Sequence, residues 1–367
     1  MSSVPSVHPH TPSPHEERQT LETRLLRVVD GAPGIGAALV RGVLSALSGL
    51  YRLGLEIDLA TYRLGLARVT RLPATVIGIG NLSVGGTGKT LATFKLARQL
   101  SAEGKRVAIL SRGYKRRSAA PIAVVSTPAA LCLTPSEAGD EPYLLASNLP
   151  GIPVLVGKNR RVTGRHAIEA FGADVLILDD SFQYWRLHKD HEIVLIDALQ
   201  PPARNFVLPR GLLREPWSHL SRAHEVWLTH AHLAPPERVE ALTALVRRHA
   251  PAAQVRYTEH RPLYLHSPHG QQAPLQTLHQ RHVLALSGLG NPEQFERMLT
   301  SLGAHVHPCR FPDHHHFTDD ELHAIAASLP PNTLVVTTPK DAIRLPKRPP
   351  FPLWIIEVAL AEEPWPR

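Results

Sequence analysis

Apolar residues recur along this chain at two spacings, and the change from one to the other divides it. Between Gly31 and Leu66 they fall at helical intervals, with Val40, Leu44, Leu47 and Tyr51 followed by Leu55, Leu59, Tyr62 and Leu66. A short repeat lies inside this stretch, Tyr51-Arg52-Leu53-Gly54-Leu55 returning as Tyr62-Arg63-Leu64-Gly65-Leu66. Its offset of about eleven residues is close to three helical turns, so both copies share a face. Further on, the apolar positions become short unbroken runs, the pattern of strands buried on both faces of a parallel sheet. These runs are Thr75 to Ile79, Val107 to Leu110, Val154 to Val156, Val175 to Leu178 and Ile193 to Ile196. Helical segments such as Lys89 to Ala102 and Arg160 to Phe171 separate them, which predicts βαβ units in a doubly wound, mainly parallel sheet. A second set begins with His282 to Leu286, running into Gly288-Leu289-Gly290-Asn291-Pro292 and a helix from Glu293. Leu334 to Thr337 and Trp354 to Val358 read as later strands of the same small sheet.

The expected organisation is a polar tail (1–30), an amphipathic helical segment (31–70), a first α/β domain (71–258), a linker rich in Pro and His (259–276) and a smaller C-terminal α/β lobe (277–367). Composition narrows the class. A chain of 367 residues, 43% hydrophobic and 20% charged, is a soluble globular protein too long for a single core. Cys132 and Cys309 are the only cysteines and have no metal or redox spacing, which fits a reducing compartment. The Ser-, Pro- and His-rich opening lacks the apolar stretch of a secretory signal. A net charge of +8 favours an anionic partner. Nucleic acid is disfavoured, because aromatics are 5% of the chain and are not interleaved with a basic stripe.

The segment from Gly31 to Tyr51 is long enough to cross a membrane, but Arg41 near its middle adds roughly 2.5–3.5 kcal/mol to insertion. A helix lying on a membrane, with Arg41, Arg52, Arg63 and Arg68 reaching headgroups, fits better. A helix pair packed on the domain core fits the same pattern.

The chemistry is announced after the first strand. Ser83-Val84-Gly85-Gly86-Thr87-Gly88-Lys89-Thr90 matches the phosphate-binding loop at Gly88, Lys89 and Thr90, with Ser83 where the first Gly is usual. Gly85, Gly86 and Gly88 allow the backbone to wrap its N–H groups around phosphates, and the following helix directs its positive end at them. Lys89 neutralises the β- and γ-phosphates and Thr90 offers a hydroxyl to Mg²⁺. An acidic partner should end a hydrophobic strand. Asp179-Asp180 does so after Val175-Leu176-Ile177-Leu178, and Asp197 is a second candidate. Arg112, just after a strand, suits a phosphate contact. The run Lys115-Arg116-Arg117 reads as a solvated face.

Taken in order, these motifs resemble the tetraacyldisaccharide 4′-kinase family. The series runs Gly80-Asn81-Leu82-Ser83 into the phosphate loop, Ser111-Arg112-Gly113-Tyr114, Gly139-Asp140-Glu141-Pro142 and Asp179-Asp180-Ser181-Phe182-Gln183. It continues with Leu208-Pro209-Arg210-Gly211-Leu212-Leu213-Arg214-Glu215-Pro216, Ser287-Gly288-Leu289-Gly290-Asn291-Pro292, Phe311-Pro312-Asp313-His314-His315 and Lys340-Asp341-Ala342. The resemblance implies a P-loop NTPase-like fold and an ATP- and Mg²⁺-dependent kinase acting on a lipid disaccharide. It implies an N-terminal helix on the cytoplasmic face of the inner membrane, and gives no reason to expect an obligate protein partner. It also implies roles: Asp140 as base toward the sugar hydroxyl, His314 as its partner, Lys89 and Arg112 in catalysis, Gln183 with the nucleotide, and Glu141 beside Thr90, Asp179 and Asp180 around Mg²⁺.

Other readings of the same residues exist. Asp140-Glu141-Pro142 is also a helix start signal, and Asp313-His314-His315-His316 could hold a metal. A P-loop switch ATPase acting on a protein partner shares the phosphate loop but needs neither Asp140 nor His314. The chain departs from the family at Ser181 and Tyr184, where Gly and His are usual, and at Pro339 in place of Glu. Serine at 181 would strain or reshape a positive-φ turn there.

Overall fold

The computed structural model describes residues 26–114, 116–117, 120–201, 204–346 and 348–363. Most of the expected tail, and Lys115, lie outside the described residues. The chain forms two compact units, one of the residues up to Thr61 with Gln200–Pro216, the other of Tyr62–Leu199 with Trp217 onward.

The first unit is built on one long helix, α1 (Ile35–Arg63, 29 residues), about 44 Å long at 1.5 Å per residue. A single helix, not a helix pair, carries the first copy of the repeat and ends at Arg63, two residues into the second. Arg41 does not reach outward as expected; its guanidinium donates to the carbonyls of Ala32 at 2.7 Å and Val28 at 3.3 Å, closing the turn before the helix. The Leu208–Pro216 motif packs on this helix. Ser48 Oγ donates to Val207 O at 2.6 Å and accepts from Arg210 N at 2.9 Å, and Tyr51 donates its hydroxyl to Arg214 O at 3.1 Å. Gly211 is required where it stands, because a Cβ would fall 2.3 Å from Phe206 O.

The second unit follows the alternation read from the sequence: β1 (Thr75–Asn81), α2 (Lys89–Ala102), β2 (Val107–Ser111), β3 (Ala123–Ser126), α3 (Asp140–Asn148), β4 (Val154–Val156), α4 (Arg160–Phe171), β5 (Val175–Leu178), β6 (His191–Asp197), β7 (Glu225–Thr229) and α5 (Pro236–His249). It goes on through β8 (Gln254–His266), β9 (Gln272–Ala273), β10 (His282–Ser287), α6 (Pro292–Ser301), β11 (His305–Arg310), α7 (Asp319–Ser328), β12 (Leu334–Thr337), α8 (Pro339–Ala342) and β13 (Leu353–Glu363). The strands form one continuous sheet in the order β11-β10-β12-β13-β8-β7-β6-β1-β5-β2-β4-β3, with β9 paired to β8. Pairing is parallel except at β13–β8, β3–β4 and β8–β9.

Strand alternation sorts the core between faces. Ile77, Ile79, Ile109, Val154 and Ile177 pack with Leu91, Phe94 and Leu145. Val76, Leu110, Leu155, Leu176 and Leu178 pack with Ala167, Ile168 and Phe171. Two further clusters, around Phe295 and around Leu322, cover β10–β13. Much of the stretch expected as a linker is strand: residues 259–266 complete β8, which pairs with β13 across a bulge between Glu357 and Val358. This long antiparallel pair joins the C-terminal lobe to the sheet of the first domain.

Candidate active site

The phosphate loop leaves the carboxyl end of β1, which lies between β5 and β6 where the sheet order changes direction, the place such folds reserve for ligands. Gly85 and Gly88 adopt positive φ (109° and 87°), and Gly85 and Gly86 border open space, so their backbone is accessible. Ser83 and Thr87 are buried while Val84 is exposed. Thr87 Oγ1 is buried with no partner among the described residues, a polar atom that a bound phosphate can satisfy. Lys89 and Thr90 open α2 in the half-buried rim, and Lys89 Nζ stands 3.7 Å from Asp180 Oδ1.

The Asp179–Gln183 segment is fastened to β1. Ser181 N donates to Ile79 O at 3.0 Å and Gln183 Nε2 to Asn81 O at 3.1 Å. Glycines in β1 make room for this crossing: a Cβ on Gly80 would lie 2.6 Å from Phe182 N, and one on Gly78 would lie 2.9 Å from Ser181 Oγ. The turn's positive φ falls on Asp180 (48°) and not on position 181, so Ser181 carries no backbone strain. Tyr184 accepts from Arg160 N at 3.1 Å, approaches Asn159 Oδ1 at 3.3 Å, and lies under the Arg160 guanidinium at 5.3 Å. Pro339 occupies the first turn of α8, where its missing N–H leaves nothing unbonded.

Three carboxylates converge here. Asp179 is buried, and burial first, then the charges of Glu141 and Asp180, push its pKa up to about 7 against the pull of Lys89 and Arg160. Ser111 Oγ donates to its Oδ2 at 3.3 Å. Arg160, 3% exposed, donates to Asp179 O at 3.4 Å. In the sequence Arg160 is marked only by its position at the start of a helix after a buried strand. The oxygen donors of Thr90, Glu141, Asp179 and Asp180 suit a hard divalent cation. Among the described residues no group of three or more His, Cys, Asp or Glu side chains is placed to hold a metal ion by itself.

Asp140 begins α3, but the helix is capped by Gly139, with no side-chain cap. Its carboxylate serves elsewhere: Oδ2 accepts from His314 Nδ1 at 2.7 Å and lies 3.3 Å from Arg344 Nε. Burial raises the Asp140 pKa, yet the His314 hydrogen bond and the charges of Arg344, His314 and His316 outweigh it and hold the carboxyl below its ordinary value. The three histidines part ways. His314, at φ 65°, turns to Asp140, His315 bonds Glu321 at 3.0 Å and stacks on Phe311, and His316 is exposed. Arg112 is exposed just past β2, whereas Arg116, expected on a solvated face, is half-buried and donates to Val156 O at 3.3 Å.

Asp197 belongs to a different arrangement. Its Oδ1 accepts from His230 Nδ1 at 2.9 Å, and His230 Nε2 meets His260 Nδ1 at 3.0 Å. His260 Nε2, buried without a partner among the described residues, faces Gly88: a Cβ there would lie 2.8 Å from it. Burial, then His230 and His232, bring the His260 pKa down to about 3, so the ring beneath the phosphate loop stays neutral.

Fold and phosphate loop together define a protein of the P-loop phosphotransferase class. Residues 40–364 match the family described as Tetraacyldisaccharide-1-P 4'-kinase. A protein of Anaeromyxobacter dehalogenans (strain 2CP-C) named tetraacyldisaccharide 4'-kinase is 46% identical over 317 residues, 85% of this chain and 83% of its own. One of the same name from Syntrophus aciditrophicus (strain SB) is 41% identical over 83% and 84%. LpxK from Aquifex aeolicus, solved in complex with ATP, is 33% identical at a TM-score of 0.73, covering 88% of this chain and 95% of that one. The chain belongs to the Tetraacyldisaccharide-1-P 4'-kinase family.

Proposed function

We propose that this protein transfers the γ-phosphoryl group of ATP to the 4′-hydroxyl of a tetraacyl disaccharide 1-phosphate at a membrane surface. The observation that carries the reading is the 2.7 Å hydrogen bond by which His314 holds Asp140, a device that an ATPase coupled to a protein partner does not need. The nucleotide phosphates bind the amides of Gly85–Thr90 and Lys89. Arg112, exposed at the rim, is free to approach them. Gln183 steadies the loop through Asn81 O, and its buried Oε1 has no partner among the described residues, leaving it for the nucleotide.

Thr90, Asp179, Asp180 and Glu141 hold Mg²⁺, which when bound supplies positive charge beside the phosphates. Asp140 accepts the proton of the attacking hydroxyl as the new O–P bond forms and the bond to the leaving ADP oxygen breaks. A depressed pKa does not disqualify it, because placement and charge neutralisation matter more than base strength in a loose transition state. The exposed apolar stripe of α1 (Ile35, Leu39, Val43, Leu47, Leu50, Ile57) lies on the membrane that holds the acceptor. The cytoplasmic face of the inner membrane is the side on which ATP is available.

The test is ADP release in detergent micelles with and without the lipid acceptor. The wild type releases ADP only when acceptor is present. Asp140→Ala keeps nucleotide binding and loses at least about 100-fold in turnover, the usual range for a positioned base. Acceptor-independent hydrolysis, or an unaffected Asp140→Ala, would contradict the proposal.

A further inference from the structure

We propose that Arg344 is a positioning residue for Asp140, its buried guanidinium closing a ring of contacts that aims the base. No motif in the sequence drew attention to it. The ring passes through one backbone unit. His314 N donates to Gly288 O at 3.3 Å, and Gly288 N donates to Asp341 Oδ1 at 3.1 Å. Asp341 Oδ1 lies 3.4 Å from Arg344 Nη2, and Arg344 Nε lies 3.3 Å from Asp140 Oδ2. The 2.7 Å bond from His314 Nδ1 to that same oxygen completes the circuit. Arg344 Nη1 adds a bond to His315 O at 3.2 Å.

Three observations favour positioning over a plain core ion pair. The Arg344 side chain is 0% exposed and serves two carboxylates from separate segments, so its buried charge draws one toward the other. Both partners of Asp140 engage Oδ2, which leaves Oδ1 for the acceptor hydroxyl. Nε and Nη2 sit close to their carboxylates without aligned N–H···O geometry, so charge holds them and their donors are available to align when substrate binds. The Ser287–Pro292, Phe311–His315 and Lys340–Ala342 motifs thus act as one frame around Asp140. Gly288 fits there because a Cβ would meet Pro312 O at 3.1 Å and Asp341 Oδ1 at 3.3 Å.

The kinetic arm of the test rests on the proposed phosphoryl transfer; a spectroscopic arm does not. Full-length Arg344→Lys and Arg344→Ala are compared with wild type for kcat and for the KM of ATP, with and without non-denaturing guanidinium. The His314 Nδ1 proton, assigned by its loss in His314→Gln, is followed by NMR without substrate. Arg344→Ala is expected to lose about 100-fold in kcat, the effect of misplacing a reacting group by an ångström, with the KM of ATP little changed. Added guanidinium restores part of that loss, and Arg344→Lys retains an intermediate rate. The imidazole proton moves in Arg344→Ala and returns with guanidinium. A kcat loss without recovery and with an unmoved proton would overturn the proposal. So would Arg344→Ala activity within about twofold of wild type, or a Lys variant that unfolds together with the Ala variant. If the wild type transfers nothing to the lipid, the functional reading fails while the NMR arm still decides the role of Arg344.

Discussion

Asp179 follows β5 directly and is a buried carboxylate among the charges of Glu141, Asp180, Lys89 and Arg160. Its folded pKa of about 7 stands above the ordinary 3.8, so the folded state binds the proton more tightly than the unfolded chain does. The contribution to stability is full below about pH 3.8 and is lost as pH rises through 7. Asp179→Asn removes this ionisation at nearly constant shape. Thermal melts of the nucleotide-free protein should show the variant more stable than wild type, by a larger margin at pH 8 than at pH 5. A gain independent of pH, or a loss at pH 8, would count against the buried-charge explanation. The residues around it show what a single sequence conceals. Ser181 looked strained as a substitute for Gly, but Asp180 takes the positive φ and Gly78 leaves space for the serine hydroxyl. Tyr184 replaced an expected His and became a hydrogen-bond acceptor at the start of α4 and a platform for Arg160. Such compensation depends on residues far apart in sequence, and no local pattern encodes it.

Among the elements, α1 departs most from soluble behaviour. Of its 29 residues only Ser48 and Leu59 are buried, and it is long and apolar enough to cross a membrane. Ile35, Leu39, Val43, Leu47, Leu50 and Ile57 are exposed at intervals of three, four and seven, which lines them up on one face. Burying a leucine in an apolar phase is worth about 1.5–3 kcal/mol. Replacing Leu47 and Leu50 together by Glu should therefore weaken cosedimentation with anionic lipid vesicles at least tenfold. ATP affinity, measured without lipid, should stay the same; undiminished vesicle binding would exclude this stripe as the contact. The strands were legible where burial is two-sided: β4, β5 and β12 begin and end where their apolar runs do. β8 was not, because its sequence mixes charges, histidines and Pro262 along a strand in which only Thr258 and Leu265 are buried. β11, exposed or half-exposed throughout, also carries no such run.

At the scale of the whole molecule, the donor half of the site was readable because the phosphate loop is contiguous, while the proposed acceptor half is assembled from segments far apart in the chain. Asp140 and His314 meet across 174 positions. Composition and periodicity did not announce that pairing; the ordered motifs did, through the family they resemble. Arg160 and Arg344 went unread because a buried arginine looks like any other arginine until its carboxylates are placed in space. The family relation and the geometry converge on one reaction, and product analysis tests it most directly. Purified protein is incubated with Mg²⁺-ATP and a tetraacyl disaccharide 1-phosphate, and the recovered lipid is examined by mass spectrometry and ³¹P NMR. A lipid heavier by one phosphate, with a second phosphomonoester at the 4′ position, is the predicted product. Unchanged lipid beside accumulating ADP and inorganic phosphate would contradict it.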